Sequence, residues 1–127
     1  MSKNIYSTWQ PTSEIIGRVI VEKVEDTDEG LAIYIHLCQS QKRFKVLFDS
    51  YIAYRNMDES YRARTFSEQG GFENSLNRVK NSSWLEWLHA ESQGFYQGED
   101  ITHYSILTDA DCIDVLSEFE PDIDEIE

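Results

Sequence analysis

Lysine and arginine are absent from the last 47 residues of this chain, Asn81 to Glu127. The same segment holds 13 of the chain's 24 acidic residues, and the whole chain has a net charge of −13. A field of one sign and this size repels nucleic acids and anionic membranes, and it attracts basic proteins. The sequence therefore predicts a basic protein as the partner and argues against nucleic acid or a membrane surface.

Long apolar runs are also missing. No stretch approaches the roughly 18 consecutive apolar residues of a membrane span, and Met1 to Gln10 lack the apolar core of a signal peptide. The two cysteines, Cys38 and Cys112, are far apart and form no CxxC motif. We therefore expect a cytoplasmic protein with both thiols reduced.

Apolar residues make up 40% of the 127-residue chain, which is enough for one packed domain. The second of its two prolines, Pro121, precedes a short run of acidic residues. We predict one domain over residues 1–121, followed by an acidic C-terminal tail over residues 122–127.

Alternating apolar residues predict three strands in the first part of the chain. The first covers residues 15–24, and the clearest runs from Leu31 to Cys38 with the odd-numbered residues facing inward. The third runs from Arg43 to Tyr51, with Phe44, Val46 and Phe48 facing inward. Because short polar turns separate them, we expect an antiparallel meander.

A helix and a hairpin are predicted in the second half. Asp58 is a candidate cap for a short helix, and Ser83 with Glu86 has the spacing of a capping box for a helix from Trp84 to Ser92. Residues 101–108 and 112–119 read as two strands of a C-terminal hairpin. The element order predicts an α+β fold in which one antiparallel sheet of about five strands has a helix packed on one face.

We find no motif for a metal or a cofactor, and we expect neither. The three histidines, His36, His89 and His103, lack the spacing of a ligand pair, and the acidic turns do not continue into a calcium loop. There is also no phosphate-binding loop and no nucleophile elbow.

An enzyme with an unorthodox site near His103, Ser117 or Cys112 is one alternative. A turn at residues 109–111 would place Cys112 opposite Thr108 and His103 opposite Ser117. A Cys-His pair would then require the register to slip and a third group such as Asp114. A packed cysteine and a hydrogen-bonded histidine are the simpler interpretation.

The function we predict is that of a small acidic protein-binding protein, an inhibitor or immunity-type protein that masks a basic toxin or nuclease. A rigid surface of carboxylates can occupy a cationic cleft and associate quickly by electrostatic steering. The candidate partner-binding residues are acids of the hairpin and aromatic anchors: Asp109, Asp111, Asp114, Glu118, Glu120, Trp84, Tyr96 and Tyr104. The other alternative is an adaptor or homodimeric subunit that pairs through an open sheet edge.

Overall fold

A computed structural model describes residues 4–127, which form nine strands in two antiparallel sheets. The five-stranded sheet has the order β1 (Ile5–Thr8), β6 (Leu76–Lys80), β7 (Thr102–Leu107), β8 (Asp111–Ser117), β5 (Ala53–Asp58). The four-stranded sheet has the order β2 (Val19–Thr27), β3 (Gly30–Leu37), β4 (Arg43–Phe48), β9 (Asp122–Ile126). A 3-10 turn (Glu59–Arg62) leads into α1 (Ala63–Gln69), and α2 (Ser83–Glu91) lies between β6 and β7.

The core lies between the two sheets. On β3 the inward residues Leu31, Ile33 and Ile35 are fully buried, and they pair across to Phe48, Val46 and Phe44 of β4. The five-stranded sheet supplies the opposing apolar face from β7 and β8, and the rings of Phe48 and Tyr104 meet at 5.3 Å. The predicted inward faces of β3 and β4 are confirmed.

The helices form a third layer on the outer face of the five-stranded sheet. The α2 residue Trp84 packs its ring 5.4 Å from the ring of His103 on β7. Arg62, at the end of the 3-10 turn, bonds to Asp114 on β8. The molecule is therefore a two-sheet sandwich with short helices on one side.

The predicted α+β class with antiparallel strands is confirmed, because the protein combines antiparallel sheets with short helices. The prediction of one sheet of about five strands is wrong. The meander β2–β3–β4 lies in one sheet and the hairpin β7–β8 in the other. The hairpin pairs with β5 and β6, and not with the meander. These two strands and β1 are short and carry little apolar alternation, so the sequence pattern did not predict them.

Two further predictions are corrected. Residues 122–126 are not a separate tail, because β9 pairs with β4 from Asp122 opposite Leu47 to Ile126 opposite Arg43. The cap of α2 is Ser82 and not Ser83, because the Ser82 hydroxyl accepts the Leu85 N–H at 3.0 Å. The predicted cap at Asp58 is confirmed, since its side chain accepts the Ser60 N–H.

The hairpin register also differs from the predicted one by a single residue. Cys112 lies opposite Leu107, and His103 lies opposite Leu116. The Thr108 hydroxyl accepts the Asp111 N–H at 2.7 Å and so closes the turn earlier than expected. Because side chains alternate between faces, this shift places His103 and Asp114 on the same face.

Candidate functional site

The structure separates the five hairpin carboxylates that we predicted to act together. Asp109 lies in the β7–β8 turn, where Arg18 Nη1 approaches its Oδ1 at 2.5 Å, and Asp111 begins β8. Glu118 and Glu120 follow the other end of β8, about 23 Å away at the usual rise for seven strand residues. The four exposed or half-exposed acids therefore divide between opposite ends of the sandwich.

Asp114, the fifth, is not on the surface. Its side chain is fully buried between β8 and the helical layer. The prediction that it contacts a partner is wrong for this reason.

The predicted aromatic anchors are also distributed differently. Tyr104 is buried in the core, 4.8 Å from the ring of Trp9, so its prediction as an anchor is wrong. Trp84 and Tyr96 are half-buried. Two aromatic residues that we did not predict, Trp87 and Phe119, have 52% and 60% of their surface exposed.

One end of the sandwich collects acidic residues from four connections. Thr27 pairs with Gly30 at the β2–β3 turn, and Leu47 pairs with Asp122 where β9 begins. Thr102 pairs with Ser117 at the same end of the other sheet, where the Ser117 hydroxyl also meets the Ser50 carbonyl. We call this end, with the following eight carboxylates, the acidic end: Asp26, Asp28, Glu29, Asp49, Asp100, Glu118, Glu120 and Asp122.

The backbone at this end is tightly built. Gly30 has a φ of +121°, and a Cβ there would collide with the Phe48 carbonyl, so only glycine permits the turn. Tyr51 donates to Asp26 Oδ2 at 2.5 Å, and this hydrogen bond raises the pKa of Tyr51 to about 12.

Most of this charge is not neutralised. Arg78 Nη2 pairs with Glu120 Oε1 at 2.7 Å, and Lys80 borders the acidic end where β6 stops. Among residues 4–127, none of the other seven carboxylates of the acidic end forms an ion pair. Phe119 lies between Glu118 and Glu120 in the chain, and its N–H donates to Ser117 Oγ at 3.2 Å. The acidic end therefore carries an exposed aromatic side chain whose backbone is held by a hydrogen bond.

A second arrangement lies buried beneath the helices. His103 Nε2 donates to Asp114 Oδ1 at 2.7 Å, and His103 Nδ1 lies 2.7 Å from Ser82 Oγ. A neutral imidazole with its proton on Nε2 satisfies the whole chain, because Ser82 can donate to Nδ1 while accepting the Leu85 N–H.

Two arginines complete this cluster. Arg62 Nη1 donates to Asp114 Oδ2 at 2.6 Å and Arg55 Nε to the same oxygen at 3.1 Å. Burial alone would raise the pKa of Asp114, but the hydrogen bond from His103 and the positive charges of Arg62 and Arg55 outweigh it. The pKa of Asp114 is therefore held well below its usual range, and the carboxylate stays ionised inside the protein.

The Ser82–His103–Asp114 order has the connectivity of a hydrolytic triad but not its access. Ser82 is only 5% exposed, and its oxygen already caps α2. His103 and Asp114 have no exposed side-chain surface. A nucleophile must reach a substrate carbon, so this cluster connects β7, β8 and the helices without offering a reacting atom.

The predicted alternative around Cys112 gains no support. Cys112 is fully buried, and burial raises the pKa of its thiol to about 11, so the nucleophilic thiolate is scarce. Ser117 Oγ lies 2.8 Å from the Phe119 carbonyl and is occupied by the β8–β9 connection.

Sequence reasoning missed Ser82, Arg55 and Arg62. A signal was present: His103, Ser105 and Asp114 interrupt an otherwise apolar hairpin, which favours a buried polar cluster over a solvent face. Nothing in the sequence pointed to their partners, because Arg62 is 52 residues away from Asp114.

Metal and membrane features are absent from the part of the chain that the structure describes. Among residues 4–127 no group of three His, Cys, Asp or Glu side chains is arranged to hold a metal ion. Within the same residues, both helices are too short and too polar to cross a bilayer.

The comparisons with known proteins leave the site to be interpreted from its own geometry. The chain matches no protein-family model, no curated protein and no solved structure.

Proposed function

We propose that this chain is a small acidic protein that binds a basic protein partner, and that it acts as an inhibitor or immunity-type protein masking a toxin or nuclease. The observation that carries the proposal is the acidic end, where seven carboxylates form no ion pair among residues 4–127 and where the ring of Phe119, between Glu118 and Glu120 in the chain, is exposed. Of the predicted partner-binding residues, Glu118 and Glu120 belong to this surface.

The charge supports fast and selective association. Carboxylates on one end of the molecule orient an approaching cationic surface, and such steering raises association rates by about 10- to 1,000-fold at low ionic strength. An enzyme that grips a polyanion needs a cationic cleft, which this surface complements. The same charges reject nucleic acid itself.

Phe119 supports a stable complex once the partners meet. Interface hot spots are usually aromatic side chains surrounded by polar groups that exclude water. Because Ser117 hydrogen-bonds to the Phe119 N–H and Pro121 is buried, the connection that carries the ring is already ordered before binding.

The test compares two variants with the same change in charge. The acidic-end variant combines four substitutions: Glu29→Gln, Asp100→Asn, Glu118→Gln and Asp122→Asn. The control variant removes four acids elsewhere, two of them near the β7–β8 turn and two from the last residues of the chain: Glu73→Gln, Asp109→Asn, Glu125→Gln and Glu127→Gln. Both have a net charge of −9 in place of −13.

Each protein is immobilised, exposed to lysate of the source organism at low salt, and eluted with a salt gradient. We expect one basic protein to be retained by the unmodified chain and by the control variant, and to be lost from the acidic-end variant. With that protein purified, the acidic-end variant should associate about tenfold more slowly at low ionic strength, with the difference shrinking as salt screens it. Equal retention by both variants would contradict a localised surface.

A Phe119→Ser variant separates anchoring from steering. It should leave the association rate nearly unchanged and raise the dissociation rate about tenfold or more, the usual behaviour of an aromatic hot spot. An unchanged dissociation rate would remove Phe119 from the interface.

A further inference from the structure

A cleft of about 370 Å³ opens on the helical side of the molecule, lined by Arg55, Ser83, Trp84 and Trp87. This volume lies within the roughly 300–1,000 Å³ of small-molecule sites. It is separate from the surface that carries the proposed function.

Arg55 has only part of its hydrogen-bonding capacity in use. Its Nε donates to Asp114, and its guanidinium lies 4.5 Å above the ring of Trp84. Among the residues that the structure describes, Nη1 and Nη2 of Arg55 have no hydrogen-bond partner. The side chain is 30% exposed. The two terminal nitrogens are thus free to donate to a ligand in the cleft that Arg55 lines.

The charge beneath the cleft is positive. One carboxylate, Asp114, faces two guanidinium groups, those of Arg62 and Arg55. Arg62 is the closer and the more buried, at 2.6 Å with 9% of its side chain exposed. The buried cluster therefore has one uncompensated positive charge, located on the partly exposed Arg55, in a chain whose net charge is −13.

The rest of the lining is aromatic. The Trp84 ring contacts both the Arg55 guanidinium and the His103 ring. The centres of the Trp84 and His103 rings are 5.4 Å apart. Trp87 follows on the next turn of α2 and is 52% exposed. Indole faces bind flat apolar rings, and a guanidinium binds a carboxylate through two parallel hydrogen bonds.

We propose that this cleft binds a small aromatic carboxylate, with its carboxylate on the free nitrogens of Arg55 and its ring against the exposed indole of Trp87, beside Trp84. A monoanion matches the single uncompensated charge, and the planar fork of Arg55 can pair with a carboxylate through two parallel hydrogen bonds. This binding is independent of the proposed masking function.

The indole N–H signals in a proton–nitrogen NMR spectrum test it directly, because the chain has three tryptophans and the third, Trp9, is buried in the core. The probe is 2-naphthoate at 0.15 M salt. We expect saturable shifts of the Trp84 and Trp87 signals while the Trp9 signal stays in place. The Trp signals are assigned with Trp84→Phe and Trp87→Phe variants.

Three variants and two comparison ligands complete the test. Arg55→Met and Trp87→Ala should each weaken binding about tenfold or more, since an arginine–carboxylate pair and an aromatic contact each exceed one decade of affinity. Arg64→Met removes a guanidinium from a side chain that is 86% exposed and should change nothing. The Asp114 contacts to Arg62 and His103 remain in all three variants, so each should fold.

The proposal is overturned if 2-naphthoate produces no saturable shift, or if Arg55→Met binds as well as the unmodified protein. It is also overturned if 2-naphthamidine, the cationic analogue, binds equally well, since the contact would then be apolar alone. If inorganic phosphate displaces 2-naphthoate at equal concentration, the aromatic specificity is wrong.

Discussion

His103 and Asp114 meet at 2.7 Å, although they lie two residues apart along the ladder on neighbouring strands. Each also contacts the helical layer, His103 through Ser82 and Asp114 through Arg62. The pair therefore joins the five-stranded sheet to both helical segments.

Removing the Asp114 carboxylate should strongly lower the free energy of unfolding. Asp114→Asn leaves Arg62 facing a neutral amide in a buried site, and breaking a buried ion pair costs about 3–5 kcal/mol of unfolding free energy. Urea denaturation measures it. Asp109→Asn, which breaks the exposed pair with Arg18, is the matched control and should cost no more than about 1 kcal/mol.

Stability should fall at acid pH partly through the same residue. The pKa of Asp114 is lowered by folding, so its contribution is fully present above the unfolded-state pKa of about 3.9. Below that pH the unfolded chain binds the proton first, and the contribution is lost as the pH falls toward the folded pKa. The Asp109→Asn protein keeps Asp114, whereas the Asp114→Asn protein lacks it. Unfolding free energies measured at pH 7, 4 and 2.5 should therefore fall more steeply with decreasing pH for Asp109→Asn than for Asp114→Asn.

The cap of α2 distinguishes two neighbouring serines. Ser82→Ala removes the acceptor of the Leu85 N–H and the partner of His103 Nδ1, so we expect a loss of about 1–3 kcal/mol. Ser83→Ala should change stability by less than about 0.5 kcal/mol, since Ser83 is exposed. Thermal or urea unfolding of the two variants gives the comparison, and equal losses would refute the cap assignment.

The two cysteines should differ in reactivity. Cys38 is exposed, whereas Cys112 is buried with its thiol pKa raised to about 11. At pH 8 in native protein we expect iodoacetamide to alkylate one site, Cys38, and both sites only after denaturation. Peptide mass spectrometry locates the label. Rapid labelling of Cys112 in a native Cys38→Ser protein would show that the hairpin opens.

The last strand should be needed for stability. Ending the chain after Pro121 removes β9 and exposes the edge of β4 and the core side that Ile123 covers. Because Ile123 is only partly buried, the loss of its contact alone should cost about 1 kcal/mol, less than the roughly 1.5–3 kcal/mol of a fully buried isoleucine. A truncated protein with unchanged denaturation would mean that these residues behave as the free tail we first predicted.

The predictable part of the fold is the part with strict alternation. Leu31, Ile33 and Ile35 occupy one face of β3 with no interruption, so their burial follows from the period of a strand. The short strand β6 lacks this pattern because Asn77 is buried on the helical side and bonds to the Ser75 carbonyl. Strands whose polar residues face a covered interior cannot be recognised from alternation.

The buried cluster escaped prediction for a different reason. The predicted hairpin register differs from the observed one by one residue. In the predicted register His103 and Asp114 lie on opposite faces of the sheet, so the sequence suggested no contact between them. The turn geometry set by Thr108 decides the register, and it is a local hydrogen bond that the residue types alone do not determine. The acidic end that we propose as the partner surface contains two of the predicted acids, Glu118 and Glu120, and its position depends on how the two sheets come together.

The acidic end joins parts of the chain that are made at very different times. Asp28 in the β2–β3 turn and Glu118 after β8 lie at the same end of the sandwich, although some ninety positions separate them in the sequence. The β2–β4 meander can form while the ribosome is still working, because its contacts are local. The surface that we propose to mask a partner comes into being only when synthesis has passed residue 122, so a nascent chain interrupted earlier has only part of the charge and no assembled interface.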